Sequence, residues 1–319
     1  LAKKLYPGGI DLKWDHRHPG GIAEGLKKTQ ELIKLRKPVF EAGFSHGGGL
    51  AIADILIPAP GGQWDVIEVK SSTSVKEHYY DDAALQLYVY RQSGLKVRNF
   101  YLMHINNQYV KQGTIDPKKF FTRVNIDAEA GEALKNVAKN LKAMGAMLTL
   151  KKAPGIAIGP HCSSPYACPL MDICWNFLPK YSVFDLYRGG KKADELLADG
   201  IEALTDIPSD FKLTENQLVQ QVAAKKKQAQ VNPAGIREFL KTILYPAYFL
   251  DFETIFPAIP VIEGTRPFQQ IPFQYSLHVL GKIGAKPEHF EFLYDGLGDP
   301  RPELMEQLSK QIGKSGSLL

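Results

Sequence analysis

The apolar positions of the first half of the chain alternate between helical and strand-like spacing. Apolar side chains three to four residues apart predict helices, and apolar side chains two residues apart predict strands. The pattern predicts a helix, three strands, a helix, a strand and a long amphipathic helix, at residues 21–36, 38–44, 49–57, 64–70, 79–95, 98–105 and 127–147. This order favours an α/β sandwich core.

A polar, mostly helical region separates this core from a second α/β segment. Residues 181–244 contain helical patterns interrupted by the "VNPAG" breaker, and we interpret them as a connector. Apolar strand patterns and a final amphipathic helix follow, at residues 247–255, 273–280, 289–296 and 301–313. The sequence therefore predicts three parts, at residues 1–180, 181–244 and 245–319.

The strand predicted at residues 64–70, "WDVIEVK", carries two charges among apolar residues. Side chains at positions i and i+2 of a strand point the same way, so Glu68 and Lys70 share one face. A solvated ion pair on an exposed face is the simplest interpretation of two such charges alone. The neighbouring residues decide whether the pair has a chemical role.

Composition narrows the class of protein but does not select a function. The 319 residues are 44% hydrophobic, enough for a globular core, and no apolar run is long enough for a membrane helix. The net charge of +5 is compatible with a polyanionic partner. We expect a cytoplasmic protein without membrane contact, and the beginning at Leu1 and the final "KSGSLL" suggest that both ends are cut.

Asp54 lies within the strand predicted before the charged one. The short "PAPGGQ" turn between these strands would return the chain antiparallel and place Asp54 near Glu68 and Lys70. Two carboxylates can hold a hard divalent cation such as Mg²⁺, and an adjacent ammonium can stabilise the charge that develops on a phosphate. This grouping indicates metal-assisted phosphodiester hydrolysis.

With the helix that follows, the series resembles the PD-(D/E)XK nuclease superfamily, in its RecB-like branch. Asp54 matches the metal-binding aspartate, Glu68-Val69-Lys70 matches the E-x-K motif, and "QLYVY" supplies Gln86 and Tyr90 of a Q-x-x-x-Y helix motif. The resemblance implies that Asp54 and Glu68 bind Mg²⁺ or Mn²⁺ and that Lys70 is catalytic. Gln86 and Tyr90 would contact DNA or order the site.

The acidic or His residue that this branch often carries on its first helix is not securely placed. Glu24 and Glu31 lie in the predicted helix, and Glu41 is an alternative on the following strand. A residue before Leu1 is the remaining alternative.

Three cysteines in a loop-like segment form the second group of candidate ligands. Cys162, Cys168 and Cys174 follow a C-x5-C-x5-C spacing, which favours a local metal or cluster site in a reducing compartment. The RecB-like branch often holds a [4Fe-4S] cluster with three cysteines after the core and one far upstream, here before Leu1. Zinc bound by the three cysteines and His161 is an alternative, and plain buried thiols are another.

The strand "YFLDFET" presents Asp251 and Glu253 on one face. A solvated pair explains a lone D-x-E, but with the strands that follow it resembles the first motif of DEDD-type, RNase H-like exonucleases. The resemblance implies that Asp251 and Glu253 are metal ligands.

Together these features resemble an uncharacterised bacterial family that joins a RecB-like nuclease domain with a cysteine cluster to a DEDD-like domain. The expected fold is a restriction-endonuclease-like mixed sheet, a helical connector and the start of an RNase H-like α/β domain. The expected function is metal-dependent DNA hydrolysis, as an exonuclease in repair, recombination or defence. The expected partners are DNA, either single-stranded or with free ends, and a helicase or other repair or defence proteins. A catalytically silent binding or assembly protein is the alternative.

Overall fold

A computed structural model describes residues 1–15, 18 and 20–319, and His16, Arg17 and Pro19 lie outside the described residues. The chain forms two compact units, one of residues 1–151 and 245–319 and the other of residues 152–244. The first unit holds mixed sheets of six and four strands with helices against them, which confirms the predicted α/β class. The assignment of nuclease and exonuclease-like domains to residues 1–180 and 245–319 stays a prediction.

The six-stranded sheet follows the order of the chain. Its strands are β1 (Ile10–Asp11), β2 (Val39–His46), β3 (Gly49–Pro58), β4 (Trp64–Lys70), β5 (Val97–Ile105) and β6 (Phe121–Asn125). Strands β2, β3 and β4 are antiparallel, as the short turns between them predict, whereas β1 is parallel to β2 and β4 is parallel to β5. The parallel β4–β5 pair is possible because a helix connects the two strands.

Helices cover this sheet. They are α1 (Gly21–Leu32), α2 (His78–Gln92), α3 (Pro117–Phe120) and α4 (Asp127–Leu148). Helix α2 ends just before Gly94, whose positive φ of 88° suits a residue without a Cβ, as the sequence predicts. None of the helices in the described part of the chain combines the length and the apolar character needed to cross a bilayer.

The faces of β4 explain where its charged residues point. Trp64 and Val66 belong to the apolar core beneath α2, and Ile67 belongs to a smaller core on the opposite face. Glu68 and Lys70 continue the face of Trp64 and Val66 because side chains alternate along a strand. The charged residues therefore point towards α2.

The second compact unit is helical. Its helices are α5 (Met171–Cys174), α6 (Lys191–Ala198), α7 (Glu215–Lys226) and α8 (Pro233–Thr242). Val183, Leu196 and Leu204 form part of its small core. Helix α7 begins at a capping box in which the Thr214 and Gln217 side chains satisfy each other's backbone N–H groups.

The four-stranded sheet has the order β10-β7-β8-β9. Its strands are β7 (Ala247–Ile255), β8 (Ile271–Leu280), β9 (Glu288–Leu293) and β10 (Ser317–Leu318). One face packs against α9 (Arg301–Gln311) through Tyr275, Leu277 and Leu304. The register pairs Asp251 with Ser276 and Glu253 with Gln274.

Candidate active site

Strands β3 and β4 bring Asp54 beside the E-x-K segment. The antiparallel pair Ile55–Ile67 sets the register, and the Val69 N–H donates a hydrogen bond of 2.6 Å to Asp54 Oδ2. Burial raises the pKa of Asp54, and the nearby carboxylate of Glu41 acts in the same direction. The structure thus gathers Asp54, Glu68 and Lys70 on adjacent strands.

Lys70 is held between two carboxylates. Its Nζ donates to Glu68 Oε1 at 2.9 Å and to Asp82 Oδ2 at 2.7 Å, and it lies 5.3 Å from the centre of the Tyr79 ring. Burial alone lowers the pKa of Lys70, but the hydrogen bonds to Asp82 and Glu68 outweigh burial and raise it. The ammonium therefore stays protonated at neutral pH and acts as a fixed positive charge.

Helix α2 supplies a chain of polar side chains behind Lys70. Gln86 Nε2 donates to Asp82 Oδ1 at 3.3 Å, and Tyr90 donates its hydroxyl hydrogen to Gln86 Oε1 at 2.9 Å. Gln86 and Tyr90 are buried, and burial raises the pKa of Tyr90 well above its usual value. Gln86 and Tyr90 thus brace Asp82, which in turn positions Lys70.

Asp82 is a site residue that the sequence interpretation missed. It stands four residues before Gln86, as Gln86 stands four residues before Tyr90, so the three share one helix face. Extending the spacing of the Q-x-x-x-Y motif back by one turn would have found it.

Glu68 presents an unsatisfied carboxylate oxygen. Oε1 accepts from Lys70, whereas Oε2 is buried without a hydrogen-bond partner among the described residues. Burial, reinforced by the negative charge of Asp54, raises the pKa of Glu68 to about 7. A buried acceptor without a partner is costly, and a bound cation would satisfy it.

Glu41 is the alternative first-helix acid that lies near the site. On β2 it falls between the pairs Phe40–Ile55 and Ala42–Ala53, opposite Asp54, and Trp14 Nε1 donates to its carbonyl at 2.8 Å.

The other two alternatives, Glu24 and Glu31, are not gathered with it. Glu24 is exposed on α1 and forms an ion pair of 2.7 Å with Lys28, one turn along the same helix, while Glu31 is exposed.

A cavity of about 520 Å³ opens onto the carboxylates of Glu41 and Asp54. Glu41, Asp54 and Lys70 line one part, and Phe121 and Ile259 line its apolar part. The cavity has room for a phosphate group and a hydrated cation beside the charged residues.

The donor set fits a hydrated magnesium ion. Among the described residues, no group of three or more His, Cys, Asp and Glu side chains is arranged to hold a metal ion. Mg²⁺ commonly binds through one or two carboxylates and keeps several waters, so Asp54 and Glu68 suffice for it. The free Glu68 Oε2 is the observation that supports this fit.

Asp251 and Glu253 lie on β7 of the four-stranded sheet, not on the strands that carry Asp54 and Glu68. Both side chains are exposed on β7, and Asp251 Oδ1 accepts a 3.0 Å hydrogen bond from the Phe252 N–H. They share a face, as the sequence predicts. Their role as metal ligands stays a prediction.

The cysteines differ in environment. Cys162 is buried, Cys168 is half-buried and Cys174 is exposed, and the part of the chain described here holds no metal-ligand group that includes them. The chain supplies three thiolates, one fewer than the four that usually hold a [4Fe-4S] cluster. The cluster and the alternative of zinc bound with His161 stay predictions.

Comparison with protein families matches residues 248–319 to a family described as "Domain of unknown function (DUF2779)". The match covers β7 to the end of the chain and includes Asp251 and Glu253. No curated protein matches the chain.

Proposed function

We propose that this protein is a Mg²⁺- or Mn²⁺-dependent nuclease that hydrolyses DNA phosphodiester bonds, acting as an exonuclease in repair, recombination or defence. The carrying observation is the juxtaposition of Asp54, Glu68 and Lys70 with one buried carboxylate oxygen left free. A RecB-like nuclease of the PD-(D/E)XK superfamily uses residues of these types at this spacing, which supports the proposal by resemblance.

The metal would be held by Asp54 and Glu68. When bound, a divalent cation supplies Lewis-acid stabilisation of the charge that develops on the phosphate. Lys70 adds a second positive charge there, because its protonated ammonium can donate a hydrogen bond to a phosphoryl oxygen. Asp82 fixes the position of that ammonium before DNA binds. Hydrolysis consumes one water, whose oxygen bonds to phosphorus while the bond to the leaving sugar oxygen breaks and that oxygen takes up a proton.

Cleavage of end-labelled single- and double-stranded DNA with Mg²⁺ or Mn²⁺ tests this proposal. Lys70→Ala should lower the rate at least about 100-fold, since preorganised charge at a transition state contributes on this scale. DNA binding should persist, because phosphate contacts elsewhere dominate affinity. Lys139→Ala, at an exposed lysine on α4, is the control and should cleave like the wild type.

Asp251→Ala in the same assay locates the chemistry. We expect cleavage to survive, because Asp251 is exposed and does not belong to the proposed catalytic group of Asp54, Glu68 and Lys70. Loss of cleavage in Asp251→Ala alone would instead place the chemistry in the second sheet. If the wild type cleaves no more DNA than Lys70→Ala with either metal, the nuclease proposal is wrong and a binding or assembly protein is the better interpretation.

A further inference from the structure

A second and larger cavity lies next to the active-site cavity in the first compact unit. Its volume is about 730 Å³. Ser72, Ser74 and Lys76 lie on one side, and residues 266–269 lie on the other. We refer to this cavity as the basic cleft. Its first wall begins two residues after Lys70, and two residues span at most about 7 Å, so the cleft adjoins the site of chemistry.

The first wall is held in place by backbone contacts. The Ile105 N–H at the end of β5 donates to the Ser72 carbonyl at 2.9 Å, and Ser72 Oγ donates to the Ser74 carbonyl at 2.9 Å. The loop that leaves the catalytic strand is therefore tied to the neighbouring strand.

The second wall comes from the region that matches the family of unknown function. It is anchored to the segment that follows β5. The Lys111 N–H donates to the Thr265 carbonyl at 2.9 Å, and the Gly264 N–H donates to the Lys111 carbonyl at 2.9 Å. The Glu263 side chain pairs with Lys111 Nζ and accepts from the Gly113 N–H at 2.8 Å. Thr265 is fully buried, so the wall has a defined position.

The charge of the basic cleft is positive. Lys76 and Arg266 are its charged lining residues, both are exposed, and neither forms an ion pair within the described part of the chain. The Arg266 guanidinium contacts Gln108 Oε1 at 3.4 Å, which uses one of its five N–H donors. Two cations with donors to spare suit phosphate oxygens.

Phe268 gives the cleft an aromatic surface. Its φ of 57° lies in the left-handed region that bulky residues avoid, and its N–H donates to the Pro257 carbonyl at 3.0 Å. Phe268 is 40% exposed rather than buried. Residues held in such backbone conformations cluster at ligand-binding and active sites.

We propose that the basic cleft binds single-stranded DNA, with Lys76 and Arg266 on backbone phosphates and Phe268 stacked on a base, and leads the strand to Lys70. This proposal rests on the proposed nuclease function. Cationic side chains interleaved with an aromatic ring are the chemistry that recognises single strands, since stacking needs an unpaired base. The region that matches the family of unknown function would thereby supply a substrate-binding wall beside the site formed by Asp54, Glu68 and Lys70.

Binding of a fluorescent thymidine oligonucleotide in EDTA tests the cationic part without cleavage. Lys76→Ala/Arg266→Ala should bind at least about tenfold more weakly, and its log–log salt slope should shrink by about 1.4, since each phosphate contact on a single strand contributes about 0.7. Lys139→Ala/Lys142→Ala removes the same charge from the exposed side of α4 and should behave like the wild type. Equal loss in the two double variants would overturn the assignment to the cleft.

The aromatic part has a separate signature. Phe268→Leu should weaken binding by about fivefold or more with an unchanged salt slope, because stacking contributes about 1–3 kcal/mol per base and no charge is lost. Phe268→Tyr keeps the ring and should bind like the wild type. Unchanged binding of Phe268→Leu, or equal competition by duplex DNA, would overturn the single-strand assignment.

The same variants assayed for cleavage with Mn²⁺ separate the two proposals. A wild type that cleaves while both cleft variants bind normally overturns the basic cleft and leaves the nuclease standing. A wild type that does not cleave, but whose DNA binding depends on Lys76, Arg266 and Phe268, supports the cleft and overturns the nuclease.

Discussion

The Glu68 carboxylate lies in an environment that is unfavourable for its charged form and that a bound cation would relieve. Its carboxylate is shielded from water, faces Asp54 and has one oxygen without a partner. In the metal-free protein such a group resists losing its proton, and a cation would reverse this preference. Sites of this kind commonly reduce stability in exchange for function.

Glu68→Gln should therefore stabilise the metal-free protein increasingly as pH rises. The pKa of Glu68 is about 7 in the folded state and 4.5 when unperturbed, so the folded state binds more protons between these values. Wild-type stability falls as pH rises through this range, and the variant lacks this loss. The advantage of Glu68→Gln should grow by about 1–3 kcal/mol from pH 5 to pH 8, since each pKa unit corresponds to about 1.4 kcal/mol.

Thermal unfolding in EDTA at the two pH values measures this difference. Glu31→Gln removes an exposed carboxylate of α1 and should show no such trend. Added Mn²⁺ at pH 8 should stabilise the wild type more than Glu68→Gln. An advantage of Glu68→Gln that is the same at pH 5 and pH 8 would contradict the raised pKa.

At the scale of elements, α2 determines the position of Lys70 although it contributes no metal ligand. Asp82, Gln86 and Tyr90 recur every four residues and form one hydrogen-bonded chain along the helix. The chain ends in the core, where the Tyr90 ring contacts Phe44 with ring centres 5.2 Å apart. The core thereby helps to fix the position of Lys70.

Tyr90→Phe should be destabilising although it removes a single oxygen. It leaves Gln86 Oε1 buried without the Tyr90 hydroxyl, and an unpaired buried polar group costs about 1–3 kcal/mol. Urea unfolding measures the cost, with Tyr80→Phe on the same helix as a control that should change little.

The double variant Tyr90→Phe/Gln86→Leu completes the test. It replaces both partners by apolar groups and should recover part of the lost stability. If the stability losses of Tyr90→Phe and Gln86→Leu simply add up in the double variant, the hydrogen bond is not the cause.

At the scale of the whole molecule, the chain distributes its candidate chemistry over parts of different character. Asp54, Glu68 and Lys70 lie in the first compact unit, whereas the cysteines lie in the second, largely helical unit. Trp175, next to Cys174, has an indole N–H that is buried without a described partner.

The cluster prediction has a direct consequence for the thiols. If a fourth thiolate completes the ligand shell and the protein is purified without oxygen, we expect iron and labile sulfide. Cys174 should then react with a thiol reagent only after chelation, because metal-bound thiolates are protected. Cys174 is exposed, so without metal it should react at once, whereas buried Cys162 should react slowly. Metal analysis with time-resolved labelling measures both.

Protein purified without oxygen that contains no iron and labels at Cys174 at once would contradict the cluster. Zinc with the same protection would favour the alternative ligand set of the three cysteines and His161. Cys168→Ala should lose the metal in either case and provides the matched control.

Much of the local structure follows from the sequence, for stated reasons. Alternation along β3 and β4 and the short turn between them predict an antiparallel pair, and this pair brings Asp54 to Glu68. Helical spacing places Gln86 and Tyr90 on one face of α2, and their hydrogen bond confirms it. These features depend on neighbouring residues and on fixed periodicities, which a sequence displays directly.

Other features depend on contacts between residues far apart in the chain. The sequence did not reveal that Asp82 holds Lys70, that Glu41 rather than Glu24 lies opposite Asp54, or that residues 266–269 face Ser72. The orphaned oxygen of Glu68 and its raised pKa likewise arise from burial. The sequence by itself determined which elements form and which chemical groups they carry, because periodicity and turn residues are local. Only the tertiary structure decided which of those groups meet and how far each is removed from water, because burial and charge interactions are set by packing across the whole chain.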